Sequence, residues 1–133
     1  DGGGCWAGGE AALGFRLLAT TPEALAEEQP LRHRESGCVI VADARLDNRA
    51  ELAEALGVDR RGRGDAELIL LAYLRWGEEL ASRLLGDFAF AIWDERRHRL
   101  LAVRDPAGMR QLHYAHLPGR LLAFATDARV LLR

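Results

Sequence analysis

Hydrophobic positions along the chain change period twice and divide it into three stretches. In the first, residues 11–20, Ala-Ala-Leu-Gly-Phe-Arg-Leu-Leu-Ala-Thr, read as a strand, and a polar, Pro-containing loop is expected from Thr21 to Gly37. Cys38-Val39-Ile40-Val41-Ala42 is a short apolar run rich in β-branched residues, the length of a buried strand. The second stretch has helical spacing. Asn48 followed three residues later by Glu51 has the form of a capping box, Leu52, Ala53 and Leu56 share one face, and Gly57 can close the helix. Arg60-Arg61-Gly62-Arg63-Gly64 reads as a solvated connector. Asp65 stands where it could cap the next helix. That helix is apolar nearly all round through Leu68, Ile69, Leu70, Leu71, Tyr73 and Leu74, and Gly77 stops it after Trp76. A shorter helix is expected from Glu78 to Leu85.

From Asp87 the period becomes two. Phe88, Phe90 and Ile92 face one way and Ala89, Ala91 and Trp93 the other, and Leu100 to Arg104 returns across a charged turn as the second arm of a hairpin. Short strands around Leu112–Ala115 and Leu121–Ala125 and a helix start after Asp127 complete the chain. Helices grouped in the middle and hairpin strands grouped after them do not alternate as a doubly wound parallel fold requires. The pattern predicts an α+β domain of antiparallel sheets packed with helices, one domain over residues 1–133.

Composition adds limits. With 133 residues, 49% hydrophobic and 29% charged, the chain can bury a real core and is not a disordered segment. A formal charge of −2 gives no electrostatic reason for nucleic acid or an anionic membrane as partner. No apolar run approaches the roughly 18 residues that cross a bilayer, so no membrane partner is expected and a cytoplasmic location is. Every basic residue is Arg, a bias we attribute to the genome and not to phosphate binding. Cys5 and Cys38 lack metal-ligand spacing and are expected to be buried, reduced thiols, and His33, His98, His113 and His116 form no zinc pattern, so no metal site is expected. Asp87, Asp94 and Asp105 read as turn-capping residues. The chain opens on Asp1-Gly2-Gly3-Gly4 with no initiator Met, which is expected of a piece of a longer product.

Several blocks carry a resemblance. Asp65-Ala66-Glu67 with its helix, Trp76-Gly77-Glu78, Leu85-Gly86-Asp87-Phe88-Ala89-Phe90-Ala91-Ile92-Trp93-Asp94, Arg104-Asp105-Pro106-Ala107-Gly108 through Tyr114, and Phe124-Ala125-Thr126-Asp127 fall in one order. Leu13-Gly14-Phe15-Arg16-Leu17 and Gln29-Pro30-Leu31 precede them. Together they resemble the class II glutamine amidotransferase domain of the asparagine synthetase family, over nearly the whole chain. The resemblance implies an Ntn-hydrolase αββα sandwich, two antiparallel sheets between helical layers, here with its first strand missing. In active members an N-terminal Cys attacks the glutamine amide with its own α-amine as base, giving a thioester and ammonia. An Asn-Gly pair supplies oxyanion donors, and a following Glu, an Arg on an earlier strand and an Asp at the long helix hold the glutamine.

Carried over by position, most of that machinery is absent. The Asn-Gly-Glu triplet falls on Asp43-Ala44-Arg45. Asp43 would place an ionised, acceptor-only carboxylate where the oxyanion develops, and Arg45 reverses the charge that should meet the substrate's amine. The clamping Arg aligns with Leu17, which leaves Arg16 one residue away and on the opposite strand face. Asp65 alone matches, and the role of helix cap explains it equally well. No catalytic residue is assigned; Cys5 freed by removal of Asp1 to Gly4 is chemically coherent as a nucleophile, but Trp6-Ala7-Gly8-Gly9 after it is no buried strand.

The resemblance therefore implies a degenerate glutaminase domain kept for scaffolding, with a synthetase domain downstream that would be its partner and would use ATP and Mg. The run Asp43 to Arg49 resembles lactam- and isopeptide-forming relatives such as lasso-peptide macrocyclases, which need no ammonia; glutamine or a peptide would be the parent's substrate. Two alternatives stand. One is a working glutamine-hydrolysing asparagine synthetase whose N-terminal Cys lies upstream, and the other is a non-catalytic binding module. Open sheet edges further predict self-association or marginal stability of the isolated chain.

Overall fold

The computed structural model describes residues 2–17 and 27–132. It is an α+β arrangement of antiparallel sheets and a few helices, consistent with an Ntn-type sandwich. Strands β1 (Gly2–Gly8) and β2 (Ala11–Leu17) form a hairpin, then β3 (Leu31–His33), β4 (Cys38–Leu46), helix α1 (Arg49–Leu56), helix α2 (Asp65–Trp76) and a 3₁₀ helix (Gly77–Arg83) follow. Strands β5 (Gly86–Asp94), β6 (Arg99–Arg104), β7 (His113–Leu117) and β8 (Leu121–Ala125) and the short helix α3 (Ala128–Leu131) complete it. The ladders are a four-stranded sheet, β3-β4-β5-β6, and two two-stranded sheets, β1-β2 and β7-β8, every pairing being antiparallel.

Strand alternation explains why the four-stranded sheet is the centre. Cys38, Ile40, Ala42 and Leu46 of β4 and Phe88, Phe90 and Ile92 of β5 all point into one core, closed by Leu68, Ile69 and Tyr73 of α2 and Leu80 of the 3₁₀ helix. Val39, Val41, Ala91 and Trp93 point the other way, where Leu13 of β2, with Trp6, Phe15 and Phe124 at the margin, covers them. The sheet is thus buried on both faces, by helices on one and by elements of the two hairpins on the other. No helix among the described residues is long and apolar enough to cross a membrane.

Several local expectations change. The Gly-rich opening is a strand, β1, because it pairs along its whole length with β2, Gly2 opposite Leu17 and Gly8 opposite Ala11. Cys5 on it is exposed and only Cys38 is buried; both are free thiols. The loop expected from Thr21 to Gly37 lies partly outside the described residues and otherwise contains β3. Asn48 holds the N-cap position of α1 without forming the capping box. Its amide instead donates to Arg83 O at 2.8 Å and accepts from Leu85 N at 3.1 Å, tying α1 to the entry of β5. Asp65 is the first residue of α2 and not its cap, the N-cap being Gly64. Asp87 is a strand residue opposite Arg45, whereas Asp94 and Asp105 do accept turn N–H groups, from Arg97 at 3.3 Å and Met109 at 2.8 Å. The segment after Trp76 is 3₁₀, not α, and ends at Arg83.

Candidate functional site

On β4 the residues after Ala42 continue its alternation. Ala44 turns to the helical core, and Asp43 and Arg45 turn to the face of Val39 and Val41. Above that face lies a cavity of about 460 Å³, within the range usual for small-molecule sites. Its floor is β4 and β5 from Val41 to Arg45 and Ala89 to Ala91; its walls are β2 from Gly14 to Arg16 and the end of β8 with Thr126. Asp43, Ala44 and Arg45 all line this one cavity.

Three of its charged lining residues enter ion pairs. The Asp43 carboxylate is half-exposed and stands 3.7 Å from the Arg110 guanidinium, an ionic contact too long for a hydrogen bond. Arg110 arrives from the loop between β6 and β7, which one buried carboxylate holds in place. Asp105 is 2% exposed, accepts from Met109 N at 2.8 Å and from Arg110 N at 3.3 Å, and its own N–H donates to Phe88 O at 2.8 Å. The Nε of Arg110 is buried without a partner among the described residues. Arg45 pairs with Asp47 two residues along the strand at 3.4 Å, both side chains 61% exposed, so its charge is turned to a neighbour in solvent. Surface pairs of this kind contribute about 0–1 kcal/mol.

Asp65 does not reach the cavity. Its carboxylate accepts from Leu46 N at 3.2 Å and pairs with Arg49, whose guanidinium also donates to Arg63 O. It fastens the end of β4 to α2, a structural role. Leu17 ends β2 opposite Gly2, and its side chain lies outside the described residues. Arg16, assigned by strand alternation to the face away from the clamp position, nonetheless lines the cavity.

Two cavity residues carry roles that sequence reasoning did not assign, Glu27 and Gln29. In the register of β3 on β4, Leu31 is opposite Ile40, so position 29 falls opposite Ala42. Pro30 has no N–H to continue the ladder, and the side chain of Gln29 takes over. Its Oε1 accepts from Ala42 N at 2.7 Å and its Nε2 donates to Ala42 O at 3.0 Å. Gln29 thereby fixes the strand beside Asp43. Glu27 accepts from Ala66 N at 2.6 Å, satisfying one of the free N–H groups of the first turn of α2, and also from Gln29 Nε2. Burial pushes its carboxyl above the usual range, against the lowering effect of those hydrogen bonds. The proximity of Gln29 to Pro30 was the one available signal; nothing local announces Glu27 or Arg110.

Chemically the cavity offers carboxylates and guanidinia, and Thr126 is the single hydroxyl lining it among the described residues. No cysteine lines it, Cys5 being on β1 opposite Gly14 and Cys38 on the helical side. Among the described residues no three His, Cys, Asp or Glu gather in a way that could hold a metal ion.

A family profile described as glutamine amidotransferase domain matches residues 1–133. Asparagine synthetase [glutamine-hydrolyzing] 1 of Bacillus subtilis is 34% identical over 107 residues, covering 78% of this chain and 17% of its own length. A putative asparagine synthetase [glutamine-hydrolyzing] of Mycobacterium tuberculosis is 34% identical over 145 aligned residues, 99% of this chain and 22% of its own. Amidase chyE of Penicillium rubens is 30% identical over 119 residues, 88% of this chain and 18% of its own. The chain thus spans about a fifth of the length of these relatives.

Proposed function

The chain belongs to the glutamine amidotransferase domain family, and from that premise we propose that it is a degenerate glutaminase domain retained as a scaffold in a longer, ATP-dependent amide-forming protein of asparagine-synthetase type. The observation that carries the reading is Asp43. Where a working site needs an amide donor for the developing oxyanion, this cavity presents a carboxylate already engaged by Arg110. Loss of one oxyanion donor costs about 3 kcal/mol, or 10²–10³ in turnover, and an opposing charge adds to that. Arg45 further turns an amine-receiving position cationic, although its pairing with Asp47 in solvent makes this the smaller effect.

In this reading the parent forms a lactam or isopeptide bond with an amine that its peptide substrate already carries, in the cytoplasm, and has no use for ammonia. ATP and Mg would be handled by the separate synthetase region, and no step in the present domain runs through them. What these residues do here is hold a sheet: Gln29 and Glu27 at the cavity, and Asp65 away from it, each satisfy a backbone N–H.

Titration of the chain with glutamine, followed by calorimetry and by amide shifts of Asp43 to Arg45, tests this. The reading expects no saturable binding into the millimolar range; saturation with shifts confined to the cavity contradicts it. A second reading, a glutamine-hydrolysing synthetase, is favoured by the likeness to the Bacillus and Mycobacterium proteins, both named as glutamine-hydrolyzing asparagine synthetases. It requires an N-terminal Cys outside this chain, and alkylation of that Cys would have to abolish ammonia release by the polypeptide that carries both.

A further inference from the structure

The contact between Asp43 and Arg110 has the form of a ligand seated in a subsite. Arg110 owes its position to its own loop and not to Asp43. The buried Asp105 carboxylate accepts from Met109 N and Arg110 N, and Asp105 N donates to Phe88 O of β5, so the loop is fastened to the sheet without help from the cavity. The guanidinium is thus held at the cavity whatever side chain stands at position 43, which is the preorganisation a binding residue needs.

What Asp43 offers that guanidinium is an incomplete match. A guanidinium presents a planar fork, which the two oxygens of a carboxylate can meet with parallel hydrogen bonds. Asp43 brings one oxygen to 3.7 Å from Arg110 Nη1, an ionic contact only, and Arg110 Nε has no acceptor among the described residues. The Asp43 side chain is 49% exposed, so the pair is not sealed in a core. Both residues line the cavity of about 460 Å³, which has room for a small organic acid.

We propose that Arg110 anchors a carboxylate-binding subsite in this cavity and that Asp43 occupies it from within the chain, an autoinhibitory contact that keeps small free carboxylates out. The same chemical group is in competition with itself. A side chain that the fold already holds beside its partner loses no translational freedom on making the contact, so it prevails over a dissolved acid despite its imperfect geometry. With Asp43 removed, the fork is left to an incoming carboxylate that can approach it head-on. The proposal rests on the reading of this cavity as a degenerate glutaminase site, and adds to it why the cavity is inert towards acids and which single residue makes it so.

The test is arginine modification by phenylglyoxal, resolved at Arg110 by peptide mass spectrometry, in the longest native polypeptide that carries this chain. Acetate is the probe and acetamide its uncharged counterpart, both at constant ionic strength. In the native polypeptide acetate should leave the rate at Arg110 unchanged. In Asp43→Asn and in Asp43→Ala, Arg110 should react faster, and acetate at about nine times its dissociation constant should slow it about tenfold, whereas acetamide should not. Arg120, exposed and outside the cavity lining, should be indifferent to acetate throughout. Asp43 is half-exposed and its side chain makes no hydrogen bond among the described residues, so both variants keep the fold, and a defect peculiar to one does not decide the result. Saturable protection of Arg110 by acetate in the native polypeptide, or its absence in both variants, overturns the proposal. Glutamine uptake by the native polypeptide would instead overturn the degenerate reading, and the acetate comparison is scored independently of it.

Discussion

Three residues outside the cavity lining hold the sheet and its helices together, and each makes a separate prediction. Asp65 and Arg49 are 15% and 19% exposed at their side chains, and Asp65 also satisfies Leu46 N–H. Removing one partner of a largely buried pair costs about 3 kcal/mol, so Asp65→Ala should lower the melting temperature by roughly 10 °C, and Asp65→Asn, which keeps an acceptor, by less. A drop under about 2 °C for the alanine variant would refute the structural role given to Asp65. Gly86 has φ 140°, and a Cβ there would collide with the backbone oxygen of Arg45. Gly86→Ala should cost at least about 2 kcal/mol and displace the strand bearing Asp43, measured as a loss in urea midpoint. Tyr73 is 7% exposed and donates to Asp94 at 2.8 Å. Burial first, then the Asp94 hydrogen bond, push its phenol up to about 12 from 10.0. Because the folded value is raised, the stabilisation is complete below pH 10 and is lost as pH rises towards 12, about 2–3 kcal/mol in all. Cys38, raised by burial, acts in the same direction from pH 9.0 upward. The chain has no Lys to obscure the window, so urea midpoints should fall between pH 10 and 12 and fall less in Tyr73→Phe.

At the scale of elements, what could be read in advance was what alternation and punctuation encode. β4 and β5 declared themselves through runs whose two faces differ, and both faces proved buried, against helices and against the hairpins. Gly57 closes α1 with φ 71°, as its position suggested. Elements whose reasons are remote stayed hidden. β1 is a strand because β2 lies beside it, and Gly-Gly-Gly has no propensity to announce that. Asn48 abandons its capping box because the chain at Arg83 and Leu85 competes for its amide. The site divides the same way. Asp43, Ala44 and Arg45 share a strand and could be found together, whereas Arg110, Glu27 and Gln29 reach the cavity through a pinned loop and a register broken at Pro30. Arg16 also lines the cavity, from the neighbouring strand β2.

For the whole molecule, we propose from the carboxylate facing a guanidinium across the cavity that the domain holds other parts together and does not itself hydrolyse an amide. The measurement that tests this most directly is ammonia release from glutamine by the longest native polypeptide carrying this chain, compared with its Asp43→Asn, Ala44→Gly, Arg45→Glu variant. The account predicts no release above the buffer blank from the native polypeptide. Release at a steady rate, abolished by substituting an N-terminal Cys and unimproved by the triple substitution, would contradict it.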